Sequence, residues 1–423
     1  MKAVIAAGGK GTRLKANMPK ALVKIGEKPV IEHQISLLKE GGIDDITVLL
    51  GHMGDQVKDY LKSQVYCVQE KEPLGTAGAL KQLEKEIKED FLFLSGDIMM
   101  DFDVPRFVGW HNQKRNPLAS LIVHPNDHPL DSDLVEKNSM DEIIRLHTRP
   151  HDVSKNFQNL SIASVMMFSP EIFGYIPQGK CDVEKDVFPK VIQAEKRMYA
   201  YNTPEYFKDI GTPERLKKVN EDYFLGKISK FNLKNKRKAV FLDRDGVINE
   251  EVDQLSRAED FKMYDFTPEA VRMINDSGML AVIVTNQAMI AKGFMTESDL
   301  SEIHKKMETG LSAKGAKIDA VYYCPHHPEK GFKGEIEELK IDCFCRKPKI
   351  GLIEKAVSEL NIDLKESFFV GDSTIDAKTA ENAGVRFIGV KTGYGMKDQK
   401  HLLKRDLPLA NNLLEAVKWI INP

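Results

Sequence analysis

A chain of 423 residues has room for two or three domains at about 150 residues each, which excludes a stapled mini-domain. Hydrophobic residues make up 42% and charged residues 29%, a globular balance that excludes a disordered or fibrous chain. Lys and Arg total 61 against 63 Asp and Glu, a formal charge of −2, so no global field draws the chain to nucleic acid or anionic lipid. Apolar runs such as residues 279–284 are too short to span a bilayer, and MKAVIAAGGKG breaks into glycines before a signal sequence's apolar segment could form. The expected setting is the cytoplasm, with neither nucleic acid nor membrane as partner.

From the start, short β-rich runs alternate with amphipathic stretches. Residues 2–7 predict a strand, Val30, Ile31, Ile35 and Leu38 recur at helical spacing, residues 46–50 predict a second strand, and Val57, Tyr60 and Leu61 mark a second helix. This βαβα order implies a mostly parallel sheet. Between the first strand and helix lies AAGGKGTRL. Gly8, Gly9 and Gly11 allow a tight turn that brings amide N–H groups against an anion, and Arg13 adds a charged fork. The loop has neither G-K-[ST] nor G-x-G-x-x-G with a distal acid, so a Walker-type ATPase and a dinucleotide dehydrogenase are both disfavoured.

The ordered set AAGGKGTRL, MPKALVKIGEKPVIEH, EPLGTAGAL, FLSGD and YFKDIGTPERL resembles the sugar-phosphate nucleotidyltransferases, which include the mannose- and heptose-1-phosphate guanylyltransferases. The resemblance covers residues 1–226 and implies a Rossmann-like, glycosyltransferase-A-like sheet. By it, Gly8, Gly9, Gly11 and Thr12 hold a nucleoside triphosphate, Arg13 and Lys20 neutralise it, and Gly75 and Thr76 lie along base and ribose. Asp97 and Asp209 hold Mg²⁺. The implied reaction is attack by a sugar 1-phosphate on the α-phosphorus, releasing pyrophosphate. Guanine is the favoured base by resemblance alone. The chain departs from the family in lacking a proline after GTRL, and in carrying Thr148-Arg149-Pro150 where Glu-Lys-Pro is common. Arg149 keeps a phosphate fork, and Glu184 in DVEKDVFP is the expected substitute for the missing carboxylate. His124, His128, His147 and His151 show no ligand spacing and are read as surface residues.

Residues 227–237 are Lys-rich and predict a solvated linker. The α/β pattern then restarts with KAVFLDRDG as a strand, a helix capped by Thr267 with Pro268 at its first position, and the strand MLAVIVTNQ. Asp243 and Asp245 follow a hydrophobic strand, where open parallel sheets bind ligands, and two carboxylates at that spacing can divide the roles of nucleophile and general acid. A turn would also explain D-x-D alone. Thr285 and Asn286, Lys347, and Gly371, Asp372 and Asp376 stand at three further positions of the same kind.

This four-part set resembles the haloacid dehalogenase-like phosphatases over residues 238–423 and implies their Rossmannoid fold. By that resemblance Asp243 is the nucleophile and Asp245 the general acid and base. Thr285 and Lys347 hold phosphoryl oxygens beside Asn286, and Asp372 joins Asp243 and Asp245 on Mg²⁺ with Asp376 in support. Three of the five cysteines fall in CPHHP and CFCRKP, and Cys324, His326, Cys343 and Cys345 form a Cys₃His set suited to structural zinc. His327 is the rival imidazole, and Cys67 and Cys181 are read as inert. The set looks like the zinc-loop branch, the histidinol-phosphate and D-glycero-D-manno-heptose 1,7-bisphosphate phosphatases. The heptose branch is favoured because its product is what a sugar-1-phosphate nucleotidyltransferase consumes. Arg346 is the expected ligand of the second phosphate, while Ala288-Met289 stand where the family commonly has Ser-Gly.

The expected protein is therefore a bifunctional enzyme of nucleotide-heptose synthesis, feeding a surface glycan such as lipopolysaccharide. Mannose 1-phosphate with histidinol phosphate, or a first half that only senses nucleotide sugars, are the alternatives.

Overall fold

The computed structural model describes residues 1–9, 14, 18–152, 154–401 and 406–422. Gly11, Thr12 and Arg13 of the predicted phosphate loop lie outside them. The chain divides into two compact units.

In the first unit, β1 (Lys2–Ala7), α1 (Val30–Glu40), β2 (Asp45–Leu50), α2 (Gly54–Leu61), β3 (Tyr66–Gln69), α3 (Gly75–Lys81) and β4 (Phe91–Ser95) follow the predicted alternation. β1 pairs in parallel with both β2 and β4, and β2 with β3. Ala3, Val4 and Ile5 of β1 are fully buried, as expected of a strand covered on both faces. β5 (Ile98–Asp101) and α4 (Val104–Asn112) follow outside the sheet, which continues through β6 (Ala119–His124), β7 (Leu134–Lys137), β8 (Ile143–His147) and β9 (Ser161–Phe168). The order among the described residues is β8-β7-β9-β4-β1-β2-β3, nine-stranded with β6 beside β9 and β10 (Met198–Asn202) beside β6. A separate antiparallel pair joins β5 to β11 (Tyr206–Asp209), and α5 (Phe188–Gln193) and α6 (Pro213–Phe224) complete the unit's larger elements.

α1 buries Val30, Ile31, Ile35 and Leu38 as its spacing predicts, but also Gln34. Gln34 Nε2 donates to the carbonyls of Ser95 (2.9 Å) and Ile98 (2.7 Å). A buried amide has to be hydrogen-bonded, and here that requirement clamps the turn on which Asp97 sits.

The predicted linker is folded over most of its length. Residues 227–230 form the short helix α7, and Asn232 and Leu233 are buried. Leu233 N–H donates to Glu205 (2.8 Å) and Asn232 Nδ2 to Asp101 (2.6 Å), so the first unit extends to Asn235. Lysine content pointed to solvent, but the apolar side chains Ile228 and Leu233 are what the fold buries. The second unit takes in Pro125–Asp131 and Pro150–Asn159 besides Lys236–Pro423.

Glu205 accepts both Leu233 N–H and Asp103 N–H, and burial pushes its carboxyl up to about 7 against the pull of those donors. Below its ordinary value of 4.5 the group is neutral whether folded or not. Between 4.5 and about 7 the unfolded chain loses the proton that the folded one keeps. The first unit therefore loses stability as pH rises through that window, with no further loss above it. Urea unfolding followed by Trp110 fluorescence in a Trp419→Phe background checks this, and Glu205→Gln is expected to flatten the dependence.

In the second unit, β12 (Ala239–Leu242), α8 (Thr267–Asp276), β13 (Leu280–Asn286), α9 (Glu297–Ser312), β14 (Ala320–Cys324), α10 (Gly351–Leu360), β15 (Phe368–Gly371), α11 (Thr374–Ala383), β16 (Arg386–Val390), β17 (Leu409–Ala410) and α12 (Leu413–Ile421) build a six-stranded parallel sheet. Its order is β14-β13-β12-β15-β16-β17. The order reverses at β12, so its carboxyl end opens onto the crevice where such sheets bind ligands. Thr267 does not cap α8 through its side chain. Its hydroxyl donates to the Ile248 carbonyl at 2.9 Å, tying the helix start to the chain after Asp245. Among the described residues no helix is long and apolar enough to cross a membrane.

Candidate active sites

In the first unit, Asp97 ends the β4 turn and Asp209 ends β11, whose register places it opposite Ile98. Ile210 N–H donates to the Asp97 carbonyl at 3.1 Å, bringing the two acids to one edge. Asp97 accepts from Lys20 Nζ (2.7 Å) and Ser95 Oγ (2.8 Å). Asp209 accepts from Arg215 (2.6 Å) and Gly211 N–H (2.9 Å). Burial raises the Asp209 carboxyl, but Arg215 outweighs it and holds the group below the usual range. Hard oxygen donors on a clamped turn and a strand end suit Mg²⁺. Gly8 and Gly9 end the described part of the glycine loop.

Gly75 takes a positive φ of 73° and opens α3. The Thr76 hydroxyl accepts from Val183 N–H at 3.0 Å and lies 3.4 Å from Asp182, so Gly75 and Thr76 also anchor the segment that carries Glu184. Glu184 is half-buried, accepts from Ser164 Oγ (3.2 Å), and is pushed up to about 7 by desolvation and then by Asp133. Asp133 holds Arg149 through Oδ1, to its backbone N–H (2.9 Å) and its Nε (3.2 Å). Ser164 sits at φ 52° where the β9–β6 register slips, a strained conformation for a residue with a side chain. Glu184, Arg149, Asp133 and Ser164 thus share one cluster, and Asp133 was missed because nothing in SDLVEK distinguishes it from a surface acid. Of the four histidines, His128 is exposed, while His147 pairs with Glu136 at 2.6 Å.

In the second unit, Asp243 N–H donates to Val370 O at 3.1 Å, fixing the nucleophile candidate at the sheet edge. Lys347 Nζ bridges Asp243 (2.8 Å) and Asp376 (2.6 Å). Burial pulls the Lys347 pKa down, but both carboxylates together hold it above the ordinary lysine value. Asn286 and Lys347 exchange two hydrogen bonds, side chain to backbone, at 3.0 and 3.2 Å, so Asn286 positions the lysine loop. Asp376 is also the third residue of α11, in a reciprocal cap with Ser373. It therefore supports the site from behind and aims Lys347.

Burial, then Asp376 and Asp243, push Asp372 up to about 9. Burial likewise pushes Asp243 up to about 7 against the pull of Lys347. Gly246 and Gly393, both at positive φ, pack against Asp372, where an added Cβ on either would collide with its Oδ2. Asp243, Asp372 and Asp376 crowd their carboxyls within 4.8 Å around the single Lys347 ammonium, and a divalent cation would let the first two ionise there.

Asp245 is in the site, but five donor contacts hold its carboxylate. Arg244 Nε and NH2 lie at 2.9–3.1 Å, Asn249 Nδ2 at 2.9 Å and Gln287 Nε2 at 3.1 Å. Burial raises the group, but Arg244 and these amides outweigh it, so Asp245 is held ionised. Arg244 is fully buried and its NH1 donates to His304 at 3.3 Å, a ring that burial and Arg244 push down to about 3 and keep neutral. Gln287 also donates to Thr285 Oγ1 at 3.0 Å. The motif DRD hid this: an Arg between two acids reads as surface charge.

Cys324, His326, Cys343 and Cys345 offer ligand atoms within 4.8 Å of one another. Cys345 Sγ stands 3.2 Å from Cys324 Sγ, Cys343 Sγ and His326 Nδ1, near the roughly 3.7 Å edges of a tetrahedron with 2.3 Å bonds. His327 lies apart, its ring edge-on to Phe332 at 5.9 Å, so His326 is the imidazole of the cluster. Arg346, the next residue, donates to the His326 carbonyl at 3.2 Å. Lys292 Nζ lies 4.8 Å from the Phe332 ring centroid, and burial and then the Arg346 charge pull its pKa down. Cys67 is half-buried and Cys181 buried, and both belong to the first unit.

A family profile described as nucleotidyl transferase matches residues 2–224. The chain belongs to the nucleotidyl transferase family. A HAD-hydrolase-like profile matches residues 344–416. D-glycero-alpha-D-manno-heptose-1,7-bisphosphate 7-phosphatase of Photorhabdus laumondii is 39% identical over 187 residues, 44% of this chain and 98% of that protein. The D-glycero-beta-D-manno-heptose-1,7-bisphosphate 7-phosphatase of Escherichia coli K12 is 36% identical, over 44% of this chain and 88% of its own length. The second half belongs with these HAD-like phosphatases, so this nucleotidyl transferase family member is an enzyme with a transferase and a phosphatase unit. A solved structure of HddC from Yersinia pseudotuberculosis complexed with GMP-PN is 27% identical over 52% of this chain and 99% of its own, at a TM-score of 0.45.

Proposed function

We propose that the second unit removes the 7-phosphate of D-glycero-D-manno-heptose 1,7-bisphosphate, and that the first transfers a nucleoside monophosphate, GMP by preference, from its triphosphate to the resulting heptose 1-phosphate. The observation that carries this reading is Arg346, next to Lys347 in the chain and held to the His326 carbonyl of the cysteine cluster at 3.2 Å. A substrate whose reacting phosphate lies on Asp243 and Lys347 has a second anion-binding group within the same zinc-supported loop. The similarity to 7-phosphatases of that bisphosphate supports the same assignment.

In the phosphatase unit Asp243 attacks phosphorus, forming an aspartyl-phosphate while the P–O7 bond breaks and Asp245 delivers a proton to O7. Asp245 then takes a proton from water, which attacks phosphorus and releases orthophosphate from Asp243. Because Arg244 and Gln287 hold Asp245 ionised, it is disposed toward the second role and must leave part of that clamp for the first. Lys347 and the Thr285 hydroxyl hold phosphoryl oxygens, and Asp243 and Asp372 would hold a Mg²⁺ that screens the approaching anion.

In the transferase unit a 1-phosphate oxygen attacks the α-phosphorus and pyrophosphate leaves, so the residues need only align and neutralise. Asp97 and Asp209 would hold Mg²⁺ at the phosphates, Gly8, Gly9 and Lys20 bound the triphosphate site, Gly11, Thr12 and Arg13 are assigned to it by their motif alone, and Arg149 with Glu184 faces the sugar phosphate. Cytoplasmic location fits these soluble substrates.

Arg346→Ala tests the phosphatase assignment. The loss of a charged fork is expected to raise KM for the 1,7-bisphosphate about tenfold or more with little change in kcat, and to leave a monophosphate such as the 7-phosphate unaffected. Equal effects on both substrates would contradict the role given to Arg346.

A further inference from the structure

In the first site both proposed metal carboxylates are already neutralised. Lys20 Nζ lies 2.7 Å from Asp97 and Arg215 lies 2.6 Å from Asp209. The other oxygen of each acid is held separately, by Ser95 Oγ at 2.8 Å and by Gly211 N–H at 2.9 Å. Each carboxylate is thus fixed independently of its cation. Lys20 sits at the head of a single helical turn, Lys20–Leu22, and Arg215 in the first turn of α6, where Thr212 Oγ1 accepts its backbone N–H at 3.3 Å. Both are long side chains on anchored backbones, able to swing while the acids stay.

We propose that Lys20 and Arg215 keep the metal position of the first site closed until metal and nucleotide arrive together, whereupon both cations pass from the carboxylates to the phosphates. The inference rests on reading Asp97 and Asp209 as the metal carboxylates. A bare divalent ion meets two acids whose charge is cancelled and two cations that repel it, and it supplies nothing for those cations to bind. A metal–triphosphate complex carries net negative charge and offers phosphate oxygens, so two ion pairs are exchanged for two others. Arg215 thereby becomes a positioning residue for the transfer, delivered to the phosphates by the metal's occupation of Asp209. The second site is built the other way. Lys347 spans Asp243 and Asp376, whereas Asp372 is cradled by glycines and by Tyr394 N–H at 2.7 Å, leaving a negative pocket that accepts a metal before substrate.

Electron paramagnetic resonance titration of Mn²⁺ into the zinc-loaded full chain tests this directly, using Asp372→Asn as the background that removes the second unit's acceptor. Without nucleotide that chain is expected to bind no Mn²⁺ at sub-millimolar concentration. Adding Lys20→Met is expected to open one site and tighten Mn²⁺ binding at least about tenfold, with Lys20→Gln and Arg215→Gln doing the same to a lesser degree. Adding Asp97→Asn to the Lys20→Met chain should abolish the gained site. Equal Mn²⁺ binding with and without Lys20 overturns the proposal while leaving Asp97 a ligand. A gained site that survives Asp97→Asn overturns it by a different route, because the metal assignment itself is then wrong. Circular dichroism of each variant separates both outcomes from loss of fold.

Discussion

Asp243→Asn is expected to reduce orthophosphate release by on the order of 10⁴-fold or more, because no aspartyl-phosphate can form on an amide. The fold should survive. Asp243 shares the site with Asp372 and Asp376, all within 4.8 Å, and Lys347 keeps Asp376 at 2.6 Å when Asp243 is neutralised. Removing one of several crowded charges relieves repulsion, so the thermal midpoint of the second unit should hold or rise while activity vanishes. Pyrophosphate release from heptose 1-phosphate supplied directly should be untouched, since Asp97 and Asp209 belong to the other unit. Intact phosphatase activity in the variant would remove Asp243 from the role of nucleophile.

Loss of the Cys₃His cluster is expected to be the most damaging change to the second unit. Cys345→Ser deletes the sulfur that stands 3.2 Å from the three other ligand atoms. A closed Cys₃His site contributes folding free energy outright, and removing it should cost at least about 4 kcal/mol. The catalytic consequence follows from chain order, because Arg346 and Lys347 are the next two residues and Arg346 is tied to the His326 carbonyl. Metal analysis should give one zinc per wild-type chain and a small fraction of one in the variant, with phosphate release lost in parallel. Chelation of the wild type should reproduce both effects. A zinc-free wild type with unchanged stability and activity would contradict the structural role given to the cluster.

The parts legible from sequence are those in which chemistry lies along a few consecutive residues. FLDRDG, TNQ, CRKP and VGD each end a strand or loop at the same sheet edge, so their types and order conveyed the phosphatase array before any contact was known. The Cys₃His set was legible because sulfur is rare and its spacing tight, and the alternation of apolar runs conveyed both parallel sheets. What stayed hidden lies across the fold. Arg244, His304 and Gln287 come from three elements, and burial turns Arg244 from apparent surface charge into the clamp on Asp245. Asp133 is joined to Arg149 through folding alone. Thr267 reads as a cap, yet its hydroxyl goes to Ile248 because the chain after Asp245 packs over the helix start. The Lys-rich joint misled because two apolar residues, Ile228 and Leu233, outweigh exposed lysines in deciding where the backbone docks.

If one chain carries both consecutive steps, a single incubation shows it. Purified zinc-loaded protein is mixed with heptose 1,7-bisphosphate, Mg²⁺ and each of the four common triphosphates in separate reactions, and products are read by mass over time. The account predicts orthophosphate first in every reaction, then pyrophosphate and a nucleotide-heptose with GTP preferred, and no nucleotide-heptose from Asp97→Asn although its orthophosphate release is intact. Orthophosphate with no nucleotide sugar from any triphosphate would contradict it.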